Sequence, residues 1–511
     1  MSGKVWLIGA GPGDIGLLTL RGKEVLEQAE VVVYDALVGQ SILSMIPDTA
    51  ERINAGKRSG DHTLPQEEIN LLLLNKAMQG KRVVRLKGGD PFLFGRGGEE
   101  LELLTENNIP YEIVPGVTSA FAVPAYNGIP VTHRDICSSV HIITGHRKRG
   151  QALSLNFKAL CDMHGTLVFL MGIAALPDIC QGLLNAGMDP KTPAAVLERG
   201  TTASQKRVIG TIGTLTSLCS QQTVRTPAII VVGDVCALSE RFAWYEKLPL
   251  FGVKAVVTRP KERCSALSSM LRQKGAEVIE LPAIDTKPLE ENIQLDEAIT
   301  ALSQKEYEWL VFTSPAGVRT FLSRLMQTGD CRILCGVRIA VIGRGTQKEL
   351  ISYGLKADFI PSVYDGKTLG RELAEKIQPG ARVLIPRAAA GNPELIEALR
   401  RADNATIHDL PVYETRYKDM EILDLKTLFE SGDTVFTMFT SASTVKGFAR
   451  IADGLDMARV KAVCIGKQTQ AEAARFGMRT WTAECATLES LTECLQNVVE
   501  ALRNNESEAM L

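Results

Sequence analysis

The sequence predicts an α/β protein made of several lobes. Apolar segments of strand length alternate with helix-like segments, for example at residues 278–282, 309–314 and 337–343, and this alternation is typical of βαβ units around parallel sheets. Glycine-rich turns follow several strands in the first half of the chain. The chain has 511 residues, so at about 100–200 residues per domain we expect three or four lobes.

The composition narrows the class of protein. Acidic and basic residues nearly balance, with a net charge of −2, which argues against general nucleic-acid binding. Eleven cysteines occur without a C-x-x-C pair, so we expect reduced thiols, a cytoplasmic location and no metal site. The sequence shows no signal-peptide pattern and no apolar run of about 18 residues, so we expect no contact with a membrane.

The first glycine-rich turn follows the strand-like residues 5–8 and superficially resembles a dinucleotide-binding fingerprint. Asp14 stands where the third glycine of G-x-G-x-x-G should fall. Pro12 also removes an N–H group from the part of the turn that would hold a phosphate. The sequence therefore disfavours a nicotinamide or flavin site here.

The second turn, Gly88-Gly89-Asp90, follows the strand-like residues 83–87. Glycines lack Cβ, so their N–H groups can approach a ligand closely and their backbone can adopt positive φ. Asp90 adds an acceptor for ribose hydroxyls or for a cationic amine. By itself, such a turn is more often structural than ligand-binding.

Asp35 and Lys57 each allow two interpretations. Asp35 directly follows the apolar residues 31–34, so it either projects at the carboxyl edge of a strand, where open α/β sheets bind ligands, or caps the next helix. Lys57 lies in the polar segment 54–60 and is either a solvated loop cation or an acid in an active site.

Taken with later segments, these turns resemble the tetrapyrrole methylase family, specifically its uroporphyrinogen-III C-methyltransferases. The resemblance covers about residues 3–240 and rests on the motifs GPGD, GGDPF, FGRGGEE, VPGVTSA, GIPVTHRD and ERGTT. It implies two α/β lobes, at about residues 1–115 and 116–243, and S-adenosylmethionine as the methyl donor. The resemblance places the donor, held partly by main-chain groups, at Pro12, Gly88, Gly89, Asp90, Leu93, Thr118, Ser119, Met171 and Gly200.

The same resemblance implies roles for several polar residues. Asp35 would be the proton acceptor and Lys57 the proton donor, because a pyrrole carbon that attacks a sulfonium methyl must afterwards lose a proton. The tetrapyrrole substrate carries many carboxylates, for which Arg96, His133 and Arg134 are candidate partners, although charged runs are mostly solvated faces. A homodimer through this half of the chain is also implied.

The second half follows a predicted linker at residues 244–252 and contains an internal repeat. Residues 312–318, Phe-Thr-Ser-Pro-Ala-Gly-Val, recur as Phe-Thr-Ser-Ala-Ser-Thr-Val at 439–445. Residues 341–349 recur at 464–472, each with Ile-Gly followed by a threonine. Both repeats place hydroxyl groups after a strand or at a helix start. We therefore expect two similar lobes, each with a turn that favours anions and faces a common cleft.

Residues 253–503 resemble uroporphyrinogen-III synthases. Besides the repeats, the resemblance rests on the segments Thr-Arg-Pro, Leu-Ile-Pro-Arg and Val-Tyr-Glu-Thr. It implies a two-lobed α/β fold, with one lobe at about residues 253–284 plus 414–503 and an inserted lobe at about 285–413. The polar residues 504–511 are expected to form a frayed tail.

The synthase resemblance also implies site residues. Tyr413 would help a terminal hydroxyl to leave the substrate, or else it is only a packing residue of a strand. Turns that carry hydroxyl groups would surround carboxylates of the product, at Thr313, Ser314, Thr440, Ser441 and Thr469.

Together, the two resemblances imply a bifunctional enzyme, because the product of the second half is the substrate of the first. Hydroxymethylbilane would close to uroporphyrinogen III with inversion of the last ring, and two methyl transfers would then give precorrin-2. Two alternatives stay open: a methylase of the same fold that acts on another substrate, and a C-terminal half that is a non-catalytic, two-lobed binding or regulatory module.

Overall fold

The described residues form four five-stranded sheets, two in each half of the chain. The α/β class predicted from the sequence is confirmed. No helix in the part of the chain that the structure describes is long and apolar enough to cross a membrane. In the computed structural model, the described residues are 3–56, 64–145, 154–259, 261–400, 405–417 and 425–509.

The first sheet is entirely parallel. Its strands and helices are β1 (Lys4–Gly9), α1 (Leu20–Leu26), β2 (Val31–Tyr34), α2 (Gln40–Leu43), β3 (Glu51–Asn54), α3 (Gln66–Met78), β4 (Arg82–Lys87), α4 (Gly97–Glu106) and β5 (Tyr111–Val114). The strand order is β3-β2-β4-β1-β5. Val31, Val32 and Val33 of β2 are all buried, as expected for a parallel strand that is covered on both faces.

The second sheet is mixed. Its elements are α5 (Ser119–Tyr126), β6 (Val140–Thr144), α6 (Phe157–Asp162), β7 (Thr166–Leu170), α7 (Leu176–Asn185), β8 (Pro193–Glu198), β9 (Lys206–Thr211), α8 (Leu215–Gln221), β10 (Ala228–Val232) and α9 (Ser239–Phe242). The strand order is β6-β7-β10-β8-β9, and only β6 and β7 run parallel. A short connection joins β8 directly to β9, as antiparallel pairing allows, whereas α8 lies between β9 and β10.

The C-terminal half forms the third and fourth sheets. Its elements are β11 (Val253–Val257), α10 (Lys261–Gln273), β12 (Glu277–Glu280), β13 (Ile284–Pro288), α11 (Ile293–Ser303), β14 (Trp309–Phe312), α12 (Pro315–Thr328), β15 (Arg338–Val341), α13 (Arg344–Ile351), α14 (Gly366–Ala374), β16 (Arg382–Ala388), α15 (Glu394–Leu399), β17 (Thr406–Tyr417), α16 (Leu425–Glu430), β18 (Thr434–Phe439), α17 (Ala442–Ile451), β19 (Lys461–Cys464), α18 (Lys467–Arg475), β20 (Arg479–Thr482) and α19 (Leu488–Ala509). The third sheet has the order β12-β11-β18-β19-β20, and the fourth has the order β13-β17-β16-β14-β15.

The fourth sheet is an insertion between two strands of the third. The chain enters it through β13 and leaves it through β17, and these two strands pair antiparallel, with Ile284 opposite Tyr417. The two strands through which the chain enters and leaves the insertion therefore lie side by side, and both belong to the inserted sheet.

The internal repeat corresponds to the same supersecondary unit in both sheets. In the fourth sheet the unit is β14-α12-β15-α13, and in the third it is β18-α17-β19-α18. Phe312 pairs with Val341 in the first unit, and Phe439 pairs with Cys464 in the second. These residues occupy equivalent positions of the repeat, so the similarity in sequence reflects the same strand register.

The predicted linker and the predicted tail both contain helical residues. Tyr245 and Leu250 of the predicted linker are buried, and the Tyr245 ring contacts both Tyr126 and Phe251 edge-on. The last helix continues to Ala509, so helical residues extend into the segment predicted as a polar tail. Extending an existing helix into polar residues requires little free energy, because the unfavourable nucleation step has already occurred.

Candidate active sites

Three turns of the N-terminal half meet at the carboxyl edge of the first sheet. β4 and β5 both pair with β1, so the segments that follow these strands lie side by side. Gly11 and Gly89 exchange two main-chain hydrogen bonds, of 3.1 and 2.8 Å. The main-chain N–H of Gly116 donates to Oδ2 of Asp90 at 3.0 Å. The predicted donor residues Pro12, Gly89 and Asp90 therefore belong to one continuous surface.

Glycine is required where these turns touch. A Cβ atom on Gly9 would lie 2.6 Å from the carbonyl oxygen of Gly89, and a Cβ atom on Gly116 would lie 2.6 Å from Cα of Gly9. Gly89 also has a φ of +68°, which side chains rarely allow. Gly88 precedes it, and a Cβ atom there would lie 2.9 Å from Cβ of Leu37. The surface is therefore made of main-chain groups packed at close range.

Asp90 is held in place by the main chain. Its Oδ1 accepts the N–H of Phe92 at 2.8 Å, while its Oδ2 accepts the N–H of Gly116. Each carboxylate oxygen has a second lone pair. Asp90 can therefore fix the turn and still accept a hydrogen bond from a ligand hydroxyl.

Helix α5 begins beside this surface. Thr118 is its N-cap residue, and the Thr118 hydroxyl accepts the N–H of Ala120 at 3.2 Å. A Cβ atom on Gly89 would lie 4.0 Å from the main-chain nitrogen of Ser119. Leu93 packs against the hydrophobic cluster that contains Ala120. These four predicted donor residues thus lie at or near the start of one helix.

The second lobe contributes two strained turns. Met171 follows β7, has a φ of +54° and is 52% exposed. Gly200 follows β8 and lies between Arg199, with a φ of +45°, and Thr201, with a φ of +68°. Left-handed backbone at residues other than glycine costs about 1–3 kcal/mol and tends to occur at functional sites. The strain thus coincides with positions predicted to hold the donor.

The two lobes touch through these turns. The N–H of Asp14 donates to the Thr201 hydroxyl at 3.3 Å. A Cβ atom on Gly200 would lie 2.8 Å from Cγ2 of Val123 in α5. Tyr126, at the end of α5, donates its hydroxyl hydrogen to Oδ2 of Asp14 at 2.8 Å, and burial together with the Asp14 charge raises the pKa of Tyr126. Asp14 of the first lobe and Gly200 of the second therefore both contact helix α5.

Asp35 belongs to a buried charge network that the sequence did not reveal. Arg85 donates from Nη2 to Oδ1 of Asp35 at 2.5 Å and from Nε to Oε1 of Glu100 at 3.0 Å. Lys87 donates to the same Glu100 oxygen at 2.8 Å. Glu100 and Arg85 are only 0% and 2% exposed, whereas Asp35 remains 29% exposed. Asp35 is therefore the member of the network that a substrate can reach.

Two groups of this network, the Lys87 amine and one Glu100 oxygen, are not fully compensated by their neighbours. Burial, followed by the positive charge of Arg85, lowers the pKa of Lys87, although Glu100 acts in the opposite direction. Oε2 of Glu100 is buried and has no hydrogen-bond partner among the described residues. The signal that could have revealed these residues is a pair of charges, Arg85 and Lys87, at alternate positions among the apolar residues that end β4.

The helix-cap interpretation of Asp35 does not hold. The next helix, α2, has Gly39 as its N-cap residue and no side-chain cap, and the Asp35 carboxylate binds Arg85 instead. Lys57 lies outside the described residues. Within those residues, no group of three or more His, Cys, Asp or Glu side chains is arranged to hold a metal ion.

The cationic residues predicted to bind substrate lie at the surface. Arg96 has a φ of +58° and pairs with Glu99 through Nε at 2.9 Å and Nη2 at 2.5 Å. That hydrogen bonding raises the pKa of Arg96 and lowers the pKa of Glu99. His133 accepts the N–H of Asp135 through Nδ1 at 3.3 Å, and Arg134 is exposed. Their assignment to substrate stays a prediction.

In the C-terminal half, Tyr413 and Ser314 lie together. Tyr413 is on β17 and its ring is part of the main core of the inserted lobe, so the packing interpretation holds for the ring. Its hydroxyl lies 2.9 Å from Oγ of Ser314. Ser314 also caps α12 by accepting the N–H of Gly317 at 3.0 Å. A buried phenol is thus placed at the end of β14, beside a helix N-terminus.

The equivalent turn of the third sheet has a different set of contacts. Ser441 caps α17 in a reciprocal arrangement with Thr444 and lies 3.0 Å from Oγ of Ser443. Thr313 and Thr440 precede the two capping serines and are partly buried. Thr469, in α18, is only 5% exposed. Among the predicted hydroxyl groups, Thr469 is therefore the least accessible to a ligand.

Comparison with known proteins supports both resemblances. Residues 4–216 match the tetrapyrrole (corrin/porphyrin) methylases, and residues 265–493 match uroporphyrinogen-III synthase HemD. The porphyrin biosynthesis protein HemD of Ruminiclostridium josui is 46% identical over 497 residues, which cover 97% of this chain and 98% of that protein.

Two further relatives match the N-terminal half. The S-adenosyl-L-methionine-dependent uroporphyrinogen III methyltransferase of Methanosarcina barkeri is 52% identical over 239 residues, which cover 47% of this chain and 94% of that protein. The siroheme synthase of Pseudomonas putida is 50% identical over 244 residues, 48% of this chain and 52% of that protein, so the match spans about half of its length. The chain therefore belongs to a family in which a tetrapyrrole methylase is joined to a uroporphyrinogen-III synthase.

Proposed function

We propose that the chain catalyses two consecutive steps. Its C-terminal half closes hydroxymethylbilane to uroporphyrinogen III, and its N-terminal half then transfers two methyl groups from S-adenosylmethionine to that product, which gives precorrin-2. The observation that carries the proposal is the junction of main-chain turns at Gly9, Gly89 and Gly116, beside the Asp90 carboxylate. The name of the M. barkeri relative supports both the donor and the acceptor.

The residues of the N-terminal half fit an adenosyl ligand. The turn at Gly89 leaves space beside its main chain, since a Cβ atom there would lie 4.0 Å from the nearest neighbour, so a ligand can approach its backbone closely. Asp90 offers acceptors for ribose hydroxyls, and the exposed Met171 offers an apolar, polarizable contact. When bound, S-adenosylmethionine supplies an electrophilic methyl group on a sulfonium centre. Pro12, Gly88, Leu93, Thr118, Ser119 and Gly200 complete the proposed donor site.

Asp35 is the proposed proton acceptor. Arg85 fixes one oxygen of its carboxylate, while the exposed part of the side chain can face the ring that has just gained a methyl group. A base held in one orientation loses little entropy when the proton is transferred. Lys57 is the proposed proton donor, and Arg96, His133 and Arg134 are the proposed partners of substrate carboxylates.

In the C-terminal half, Tyr413 is the proposed proton donor to the departing hydroxyl. The contact with Ser314 orients its phenol, and the α12 N-terminus next to Ser314 favours negative charge. Thr313, Thr440, Ser441 and Thr469 are proposed to bind carboxylates of the tetrapyrrole. Placement of groups matters more than a strong nucleophile, because the last ring must attack in only one orientation.

We also propose a homodimer that forms through the N-terminal half, and a cytoplasmic location. Leu20 is 87% exposed, and Phe92 and Phe121 are also exposed there, so apolar surface is available for a second copy. All cysteines whose side chains are described are free, which supports a reducing compartment. Light scattering of the purified chain tests the dimer.

The direct test is incubation of the whole purified chain with hydroxymethylbilane and S-adenosylmethionine. We expect a type III product that carries two added methyl groups, identified by chromatography and mass. Formation of only the type I ring would contradict the synthase activity and favour a non-catalytic C-terminal module. A type III ring without added methyl groups would contradict the methyltransferase activity.

A further inference from the structure

We propose that the synthase half supports the methyl-donor site, with Glu277 and Asp433 as positioning residues for the loop at residues 199–205. The inference rests on the proposed donor site, which includes Gly200 in this loop. It adds to the function above, because it makes methyl transfer depend on side chains of the other half of the chain.

Two hydrogen bonds join the loop to the synthase half. Oε2 of Glu277 accepts the main-chain N–H of Ala203 at 3.0 Å, and Oδ1 of Asp433 accepts the hydroxyl hydrogen of Ser204 at 3.0 Å. Glu277 begins β12 and Asp433 directly precedes β18. Since both strands pair with β11, the two carboxylates project from the same edge of the third sheet.

Asp433 is anchored on its own side of the junction. Lys254 of β11 donates to its Oδ2 at 2.8 Å, and the Ser431 hydroxyl donates to the same oxygen at 2.9 Å. Burial by itself would raise the pKa of Asp433, but these bonds and the bond from Ser204 outweigh burial and lower the pKa. An ionised, firmly held carboxylate therefore faces the loop.

The loop transmits this contact to the donor site. Thr201 holds a φ of +68°, a conformation that persists in a residue other than glycine only where neighbours impose it. Its N–H donates to Oε1 of Gln205 at 2.9 Å, and its hydroxyl accepts the N–H of Asp14 at 3.3 Å. Asp14 ends the turn that contains Pro12. Ala203, the residue that Glu277 binds, is therefore only two positions from Thr201, which contacts the first donor turn.

A small cavity also lies between the two halves. It has a volume of about 30 Å³ and is lined by Asp14 and Thr201 on one side and by Arg272 and Glu277 on the other. Nε of Arg272 is buried and has no partner among the described residues. Tyr245 also lines this cavity. Burial, followed by the negative charges of Asp14 and Glu277, raises the pKa of Tyr245. A space of this size and polarity suits an ordered water molecule.

A junction built this way couples the two halves. If the donor binds best when the loop is held as observed, loss of the Glu277 acceptor must lower donor affinity. By linkage, donor binding must then strengthen the junction by the same factor. The contact is small and polar rather than a large apolar interface, so its loss should leave both halves folded.

The test measures donor affinity and methyl-transfer kinetics in the whole chain. Glu277→Ala removes the acceptor, whereas Glu277→Gln keeps a carbonyl oxygen that can accept the Ala203 N–H. We expect Glu277→Ala to raise the Kd for S-adenosylmethionine about tenfold, to raise its KM in parallel and to change kcat by less than about twofold. Glu277→Gln should bind like the unsubstituted chain. Glu500→Ala, an exposed position on α19, is the matched control.

Two further variants keep the outcomes distinct. Ser204→Ala breaks only the bond to Asp433 and should also weaken donor binding, and ring closure by the synthase half checks folding in every variant. Unchanged Kd in both Glu277→Ala and Ser204→Ala would overturn the inference, as would an equal loss in Glu277→Gln. If Asp90→Ala weakens donor binding in that case, only the inference fails. If Asp90→Ala also has no effect, the proposed donor site fails.

Discussion

The two halves of the chain place their candidate sites at equivalent positions of a sheet, but one site is made mainly of main-chain groups and the other of side-chain hydroxyl groups. Both use turns at the carboxyl ends of parallel strands. In the N-terminal half, the turns at Gly9, Gly89 and Gly116 pack main chain against main chain. In the C-terminal half, Ser314 and Ser441 cap the helices that follow β14 and β18.

This difference explains why the two sequence signatures differ in strength. A contact between two backbones tolerates only glycine, so every residue of such a turn is constrained. A capping hydroxyl occurs in many βα units and can be replaced by several other residues. The glycine motifs, taken as a set, therefore identify a family, whereas the capping turns become informative only through their repetition.

The largest expected effect would come from filling the main-chain junction. Gly116→Ala places a Cβ atom against the backbone of Gly9 and Gly89, so we expect a loss of about 1–3 kcal/mol or more in the free energy of unfolding and no measurable donor binding. Gly345→Ala, just after the first Ile-Gly turn of the synthase half, meets no atom within 4 Å. It should stabilise α13 by about 0.5–1 kcal/mol.

Thermal unfolding and calorimetric titration with S-adenosylmethionine measure both variants. Normal donor binding by a folded Gly116→Ala chain would contradict the view that the junction forms the donor site. Equal destabilisation by the two substitutions would remove the proposed difference between the halves.

The next effect concerns Asp35. Asp35→Asn keeps an acceptor for Arg85 but cannot take up the ring proton, so we expect donor binding to stay normal and methyl transfer to slow by about 10²-fold or more. Single-turnover methylation of uroporphyrinogen III measures the step. Ring closure by the other half is the internal control, and near-normal methylation would leave Asp35 as a structural partner of Arg85 only.

A smaller effect is expected at Tyr413, because unassisted closure of the bilane competes with the enzyme. Tyr413→Phe keeps the ring in the core but removes the hydroxyl beside Ser314, so type I product should accumulate while methylation is unaffected. Tyr307→Phe removes another phenol of the same lobe, one that lies 2.6 Å from His408, and should leave the product type unchanged. Full type III output from a merely destabilised Tyr413→Phe chain would make Tyr413 a packing residue.

The smallest effect separates capping from function. Ser441→Ala and Ser314→Ala each remove an N-cap, which should lower the free energy of unfolding by about 0.5–2 kcal/mol. Of these two serines, Ser314 is the one that contacts the Tyr413 hydroxyl, so only Ser314→Ala of the pair should raise the fraction of type I product. Chemical denaturation and product chromatography check the pair, and identical product ratios would show that both serines act as caps alone.

Some features of the molecule follow from the sequence by itself. The α/β class, the two family memberships and the repeated β14-α12-β15-α13 unit were all predictable, because strand periodicity, glycine turns and helix caps are local properties of the chain. Residues 312–318 and 439–445 resemble each other because each must end a buried strand and begin a helix. The assignment of individual site residues to donor or substrate stays a prediction.

Only the tertiary structure decided which polar groups meet. Arg85, Glu100 and Asp35 come from different elements of the first lobe, and the pairing of Glu277 with Ala203 joins opposite halves of the chain. Nothing in the spacing of these residues predicts the contacts, because charged side chains far apart in sequence have many possible partners and burial selects among them. Burial makes an unpaired charge expensive, so the selection occurs only when the sheets and the two halves pack together.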